Sequence, residues 1–212
     1  MAIGMIPHST EKKQLMDIGA LFYQRNWSVG TSSNYSLKMR DKPFRILITA
    51  SGKDKRALTI DDFVEVNESG QPVQDGAARP SAETMLHVVA LQQPNVQAVL
   101  HTHSVWSTIL STRSMKQGFV EISGFEMLKG LEGIATHETS VRIKIFENTQ
   151  DMKALSAEVQ KILLECPDEL RYGFLLHGHG LYTWGKDLFS ARRHVEILEF
   201  LFEVQGRMLS MQ

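Results

Sequence analysis

The stretch AVLHTHSV, residues 98–105, decides how this chain is read. Its apolar residues suit a strand buried in a sheet, which Val and Leu fill well. His101 and His103 interrupt it. A buried imidazole costs desolvation free energy unless its ring nitrogens meet a hydrogen-bond partner or a metal. Alternate strand residues project to the same face, roughly 6.5–7 Å apart along the strand. Both rings can therefore reach one ion, and divalent transition metals favour imidazole nitrogen. The competing reading is two core histidines satisfied by hydrogen bonds.

A metal site needs at least one more ligand. Of the eight histidines, His177 and His179 form a second H-x-H in LLHGHGLYTWG, residues 175–185, and spacing does not choose between them. His87 and His194 fall in helical patterns and read as surface or packing residues. Three histidines with an open position is the pattern of a catalytic metal. Such a metal polarises a carbonyl and stabilises the enediolate beside it. That chemistry needs a proton carrier, and Glu126 in SGFEMLKGL and Glu83 in PSAETMLH are candidates. The bland alternative for each is a solvated helix residue.

Two small-residue stretches can cradle an anion with backbone N–H groups. GTSSNYS, residues 30–36, adds the hydroxyls of Thr31, Ser32 and Ser33. ASGKDK, residues 50–55, offers Ser51, Gly52 and the Lys53 charge. The latter is not a nucleotide P-loop: its upstream glycine is missing and Asp54 stands where Ser or Thr is needed.

Around these motifs the chain reads as an ordinary globular protein. It has 212 residues, 42% hydrophobic and 22% charged, with no Pro/Gly/Ser-rich linker, so residues 1–212 are expected to form one domain. Lys and Arg number 23 against 24 Asp and Glu, which gives no basic excess for nucleic acid or an acidic membrane surface. The single cysteine, Cys166, excludes an intrachain disulfide and a Cys-rich zinc knuckle, and fits a reducing compartment. No run approaches the ~18–20 apolar residues of a membrane span. MAIGMIPHSTEKKQ lacks the apolar core of a signal peptide, so a cytoplasmic location is expected.

The spacing of Leu15, Ile18, Leu21 and Phe22 predicts a helix with Ser9 as N-cap. Strands are expected in NYSLKM, FRILIT and DDFVEV, with another after the Gly70 turn at QPV. RPSAETMLHVVALQQP predicts a helix starting at Pro80 and Ser81. After AVLHTHSV come helices in VWSTILST and FEMLKGL, a strand in VRIKIFENT, and an amphipathic helix in DMKALSAEVQKILLECP. Two strand segments around a glycine turn and a long C-terminal helix complete the pattern. The alternation points to a layered α/β fold.

The order GTSSNYS, ITASGKDK, RPSAE, AVLHTHSV, FEMLKGL and LLHGHGLYTWG resembles the class II aldolase/adducin family over nearly the whole chain. The resemblance implies a three-layer α/β/α domain with a central mixed, largely antiparallel sheet. It implies one zinc ion per subunit on His101, His103 and His179, the last being the histidine directly before glycine, with His177 in the spacer. EMLKG, ENT and GLYTWG point to the dehydratase branch. That branch implies loss of water from 5-methylthioribulose 1-phosphate to give 2,3-diketo-5-methylthiopentyl 1-phosphate. Glu126 is then the acid/base. Thr31, Ser32, Ser33, Asn34, Ser51, Gly52, Lys53, Glu83 and Lys129 are then substrate-binding residues. The alternative is a sugar-phosphate aldolase or pentulose-phosphate 4-epimerase, which would use Glu83 as base. The resemblance also implies a homotetramer with sites near subunit boundaries. The chain departs from many relatives by carrying Ser32, Ser33 and Asn34 where they hold more glycine.

Overall fold

The computed structural model describes residues 8–211. The start of the N-terminal stretch read for a leader, residues 1–7, lies outside them. The chain runs α1 (Ser9–Gln24), β1 (Asn34–Asp41), β2 (Phe44–Thr49), β3 (Phe63–Val66), α2 (Thr84–Leu91), β4 (Ala98–Thr102), α3 (Val105–Ser114), β5 (Phe119–Ser123), β6 (Ser140–Phe146), α4 (Met152–Glu165), β7 (Phe174–Leu176), β8 (Gly180–Gly185) and α5 (Leu188–Ser210). The strands form one eight-stranded sheet in the order β3-β2-β1-β4-β8-β7-β6-β5. Every pairing is antiparallel except β6 with β7.

Strand alternation explains the layers. Ile46, Ile48, Val99, Tyr182 and Trp184 face a cluster with Leu86 and Val88 of α2 and Leu155 and Val159 of α4. Leu47, Ala98 and Leu100 face the other way, onto α1 and α5. Leu175 and Leu181 pack there too, against α3 and α5. The result is the expected α/β/α sandwich. No helix among the described residues is long and apolar enough to cross a membrane.

Four local expectations are corrected. Ser9 is the first residue of α1 rather than its cap; His8 precedes it in the left-handed region, and no side chain caps the helix. The strand expected after Gly70 is reduced to a single bridge between Val66 and Pro72. Proline has no N–H with which to extend a ladder. α2 begins at Thr84, later than Pro80, and FEMLKGL forms only a 3-10 turn at Glu126–Gly130. β5, not foreseen, follows Gly118, whose φ of 81° ends the preceding turn.

β4 lies near the middle of the sheet. Asn34 of β1 and Tyr182 of β8 are the direct partners of His101. Gly180 permits the close approach of β8, because a Cβ there would strike the Thr102 carbonyl. On the opposite face Thr102 donates to the buried Glu199 Oε1 of α5 at 2.7 Å. Burial pushes the Glu199 carboxyl up to about 7, above its ordinary value of 4.5. Its contribution to stability is therefore fully present below the ordinary carboxylate range and is lost as pH rises through about 7. Glu199→Gln mimics the neutral form. Its stability advantage over wild type should grow through that interval to roughly 3 kcal/mol at alkaline pH. Denaturant midpoints measured on both sides of the interval check it, and a gap that does not change with pH contradicts it.

Candidate metal centre

The end of β4 carries His101, fully buried on the face turned to α2. His103 sits just past the strand, where its backbone N–H donates to Trp27 O at 2.7 Å. The tight turn after β7 brings His179 to them, with its N–H donating to Leu176 O at 3.1 Å. One ring nitrogen from each of the three lies within 4.8 Å of the others. His101 stacks on Tyr182, its neighbour across the sheet, with ring centroids 3.9 Å apart.

The hydrogen bonds fix which ring nitrogens are bare. A carbonyl only accepts, so the 2.9 Å contact to Leu181 O places the proton of neutral His101 on Nδ1. Its Nε2 then carries a lone pair, is buried, and has no hydrogen-bond partner. His179 Nδ1 contacts Asn148 Oδ1 at 3.4 Å, which likewise leaves Nε2 bare. That Nε2 lies 3.1 Å from His103 Nε2. At that distance either His103 Nε2 donates a proton to His179 or both nitrogens turn lone pairs to a shared cation. Burial, reinforced by the neighbouring histidines, drives His101 well below the ordinary histidine range. It takes His103 down to about 4 and lowers His179. All three are neutral at neutral pH, the form a metal needs. The donor set fits a divalent transition metal.

Glu83 is the carboxylate at this cluster. Its Oε1 is 3.3 Å from His179 Nε2 and its Oε2 is 3.8 Å from His101 Nε2. Beside it lies a cavity of about 130 Å³ lined by Thr31, Ser32, Ser33, Asn34, Ser51, Gly52, Ser81 and His103, among others. Both small-residue stretches thus meet at the histidines. Ser33 holds a φ of 72°, a conformation that glycine adopts more easily.

Lys53 is not free to serve this cavity. It pairs with Asp62 Oδ1 at 2.8 Å. The buried cation is Lys55, which donates to Lys53 O at 2.7 Å and to Thr31 O at 3.4 Å, joining the two loops. Burial lowers its ammonium to about 8. Two lysines in SGKDK gave no signal as to which turns inward. Glu126 and Lys129 do not line the cavity. They pair with each other at 2.6 Å on the surface, and His137 contacts Glu126 at 3.2 Å. His177 faces Glu147 at 3.5 Å, outside the cluster. His87, read as a surface or packing residue, is fully buried and hydrogen-bonded. A larger surface depression of about 860 Å³, near Arg142 and Arg171, has no such donor set.

Residues 13–206 match the family described as Class II Aldolase and Adducin N-terminal domain. The chain belongs to that family. It is 45% identical over 194 residues to the methylthioribulose-1-phosphate dehydratase of Pseudomonas fluorescens, covering 91% of this chain and 90% of the relative. The enzyme of the same name from Sorangium cellulosum is 40% identical over 196 residues, with 92% and 91% covered. Among solved structures, an L-fuculose 1-phosphate aldolase superposes with a TM-score of 0.76 at 22% identity, covering 96% of this chain and 88% of that one. The L-fuculose-1-phosphate aldolase of Thermus thermophilus gives 0.72 at 21% identity, with 95% of each chain covered. These two likenesses establish the shared fold.

His101→Ala, His103→Ala and His179→Ala should each lower bound metal well below one equivalent, while His177→Ala keeps it. Elemental analysis of the four purified variants is the check. A metal-replete His179 variant beside a metal-poor His177 variant would reverse the assignment.

Proposed function

We propose that the chain, as one domain, is a zinc-dependent hydro-lyase that converts 5-methylthioribulose 1-phosphate into 2,3-diketo-5-methylthiopentyl 1-phosphate. The observation that carries this reading is the unpartnered His101 Nε2, turned toward His103 and His179 beside an anion-competent cavity. The identity with the dehydratases, spread over nine-tenths of each chain, supports the choice of reaction. The exposed free thiol of Cys166 accords with the cytoplasmic setting we infer.

Zinc held by His101, His103 and His179 would supply Lewis acidity toward the substrate's C2 carbonyl and C3 hydroxyl oxygens. The backbone N–H groups of Thr31, Ser33 and Gly52, with the Ser81 hydroxyl, receive the phosphate, while those of Ser32 and Ser51 are taken by Val29 O and Arg79 O. Lys55 supports both loops from beneath with its charge. Gly52 is central because its φ is 72°. A Cβ there would meet nothing within 4 Å, so a substitution acts through backbone strain rather than bulk. Gly52→Val should raise KM for the phosphorylated substrate by about tenfold or more, given a strain of order 1–3 kcal/mol. Bound zinc should stay constant; an unchanged KM removes this turn from the site.

Glu126 performs the proton transfer. Its hydrogen bond to the Lys129 ammonium holds its carboxyl below the usual range, so it begins as a base. It takes the proton from C3. The electron pair of that bond becomes the C3–C4 double bond as the C4–oxygen bond breaks. The newly protonated Glu126 returns its proton to the departing hydroxyl, which leaves as water. The resulting enol tautomerises to the 2,3-diketone. Glu126 lies outside the cavity of its own chain, so in this reading it serves the histidines of a neighbouring subunit in a homotetramer, with Lys129 beside it.

Glu126→Gln should cut kcat by ~10²–10⁴ while keeping the metal. Mixed tetramers of Glu126→Gln and His103→Ala chains, each inactive alone, should regain activity, because some sites combine an intact glutamate with intact histidines. Hybrids that stay inactive contradict action across the boundary. The placement of Glu83 at the histidines favours the second reading, aldol cleavage. That reading predicts the reverse order of loss, with Glu83→Gln the more damaging, and cleavage of a ketose 1-phosphate in place of diketone.

A further inference from the structure

His87 belongs to no part of the proposed mechanism, yet it is fully buried on α2 with both ring nitrogens in hydrogen bonds. Its Nδ1 lies 2.7 Å from the Ser36 hydroxyl. Its Nε2 meets Asn34 Oδ1. Asn34 Nδ2 in turn donates to Glu83 Oε2 at 2.9 Å and to Ser81 Oγ at 3.3 Å. The Glu83 carboxylate stands at the histidine cluster. Tyr182, which stacks on His101, packs edge-on against His87 with ring centroids 5.6 Å apart.

The direction of every bond in this chain is forced. A carboxylate only accepts, so the Asn34 amide must turn its NH₂ to Glu83 and its oxygen to His87. That oxygen only accepts, so His87 must carry its proton on Nε2. A neutral imidazole has one donor and one acceptor, so Nδ1 accepts from the Ser36 hydroxyl. Ser36 and Asn34 of β1 and His87 of α2 form one row of three donors running toward Glu83. The row occupies Oε2 and leaves Oε1 facing His179.

We propose that His87 is a positioning residue: through Asn34 it fixes the orientation of the Glu83 carboxylate at the histidine cluster and holds it still. The consequence for catalysis rests on the function proposed above; the hydrogen-bond polarity does not. Burial takes the ring down to about 3, so it stays neutral and its donor pattern is constant across working pH. Asn34, expected from the sequence to bind substrate, has its oxygen and its NH₂ taken up by protein groups here.

The first test is a long-range proton–nitrogen NMR spectrum of the histidine rings in the wild-type, metal-loaded protein. His87 should show a protonated Nε2 and a bare Nδ1, unchanged between pH of about 5.5 and 8, since a buried neutral ring does not titrate there. The opposite tautomer, or titration in that interval, overturns the proposal. The second test compares His87→Leu with His87→Gln, whose amide keeps a donor near the position of Nε2. His87→Leu should retain bound metal and KM within about twofold but lose ~10–100-fold in kcat, the scale of a substrate held out of line by a displaced Glu83. His87→Gln should recover most of that loss. A His87→Leu enzyme with wild-type kcat, or one whose loss simply follows lost metal, overturns the positioning role. If wild-type protein shows no turnover of 5-methylthioribulose 1-phosphate, the proposed function fails, and the spectrum alone decides the tautomer.

Discussion

Three imidazole rings converge at the end of β4, His101 fully buried and the other two half-buried, and the rest of the site follows from keeping them uncharged and correctly turned. Burial opposes protonation of each ring, and a proton on one would raise the cost for the others. Neutral rings then need their non-converging nitrogens occupied, or they rotate. The Leu181 carbonyl does this for His101 and Asn148 does it for His179. Asn148 stands in the ENT stretch, so that motif has a local physical meaning: it orients a ring across the sheet from β4.

The same strand carries two unlike duties on its two faces. His101 and His103 turn to the α2 layer, and Thr102 between them turns to α5, where it is anchored by Glu199. The alternation that lets a strand present two histidines together also leaves the intervening residue free to fix the strand from behind. Loosening the anchor on one face displaces donors on the other.

Much of this was legible in the sequence because it depends on short periods. The two-residue spacing of His101 and His103 carries its meaning locally. The layered fold follows from the alternation of strands and helices. What was not legible depends on direction. His177 and His179 share one spacing, and only the turn at Gly178, with φ of 60°, decides which ring swings inward. Lys53 and Lys55 differ in the same way: one reaches Asp62, the other is drawn beneath both loops. His87 was hidden because almost every residue of α2 is buried, so no polar face marked its orientation. Glu126 could be singled out by its motif, but its distance from the histidines in one chain could not.

The histidine cluster is also a closure of the chain on itself. His103 and His179 are 76 positions apart, and His101 is joined to Leu181 across 80. Asn34 and His87 are separated by 53. None of these contacts forms from a local hairpin; the first two wait for β4 and β8 to pair, and the third for α2 to dock on β1. Loop closure over such spans makes this a late and slow event in folding. A partly folded chain with α1 or α5 already helical presents scattered histidines and no shared site. A divalent cation therefore binds the finished sheet far better than any earlier state, and acts as a latch that stabilises the folded molecule by mass action once the last strands have met.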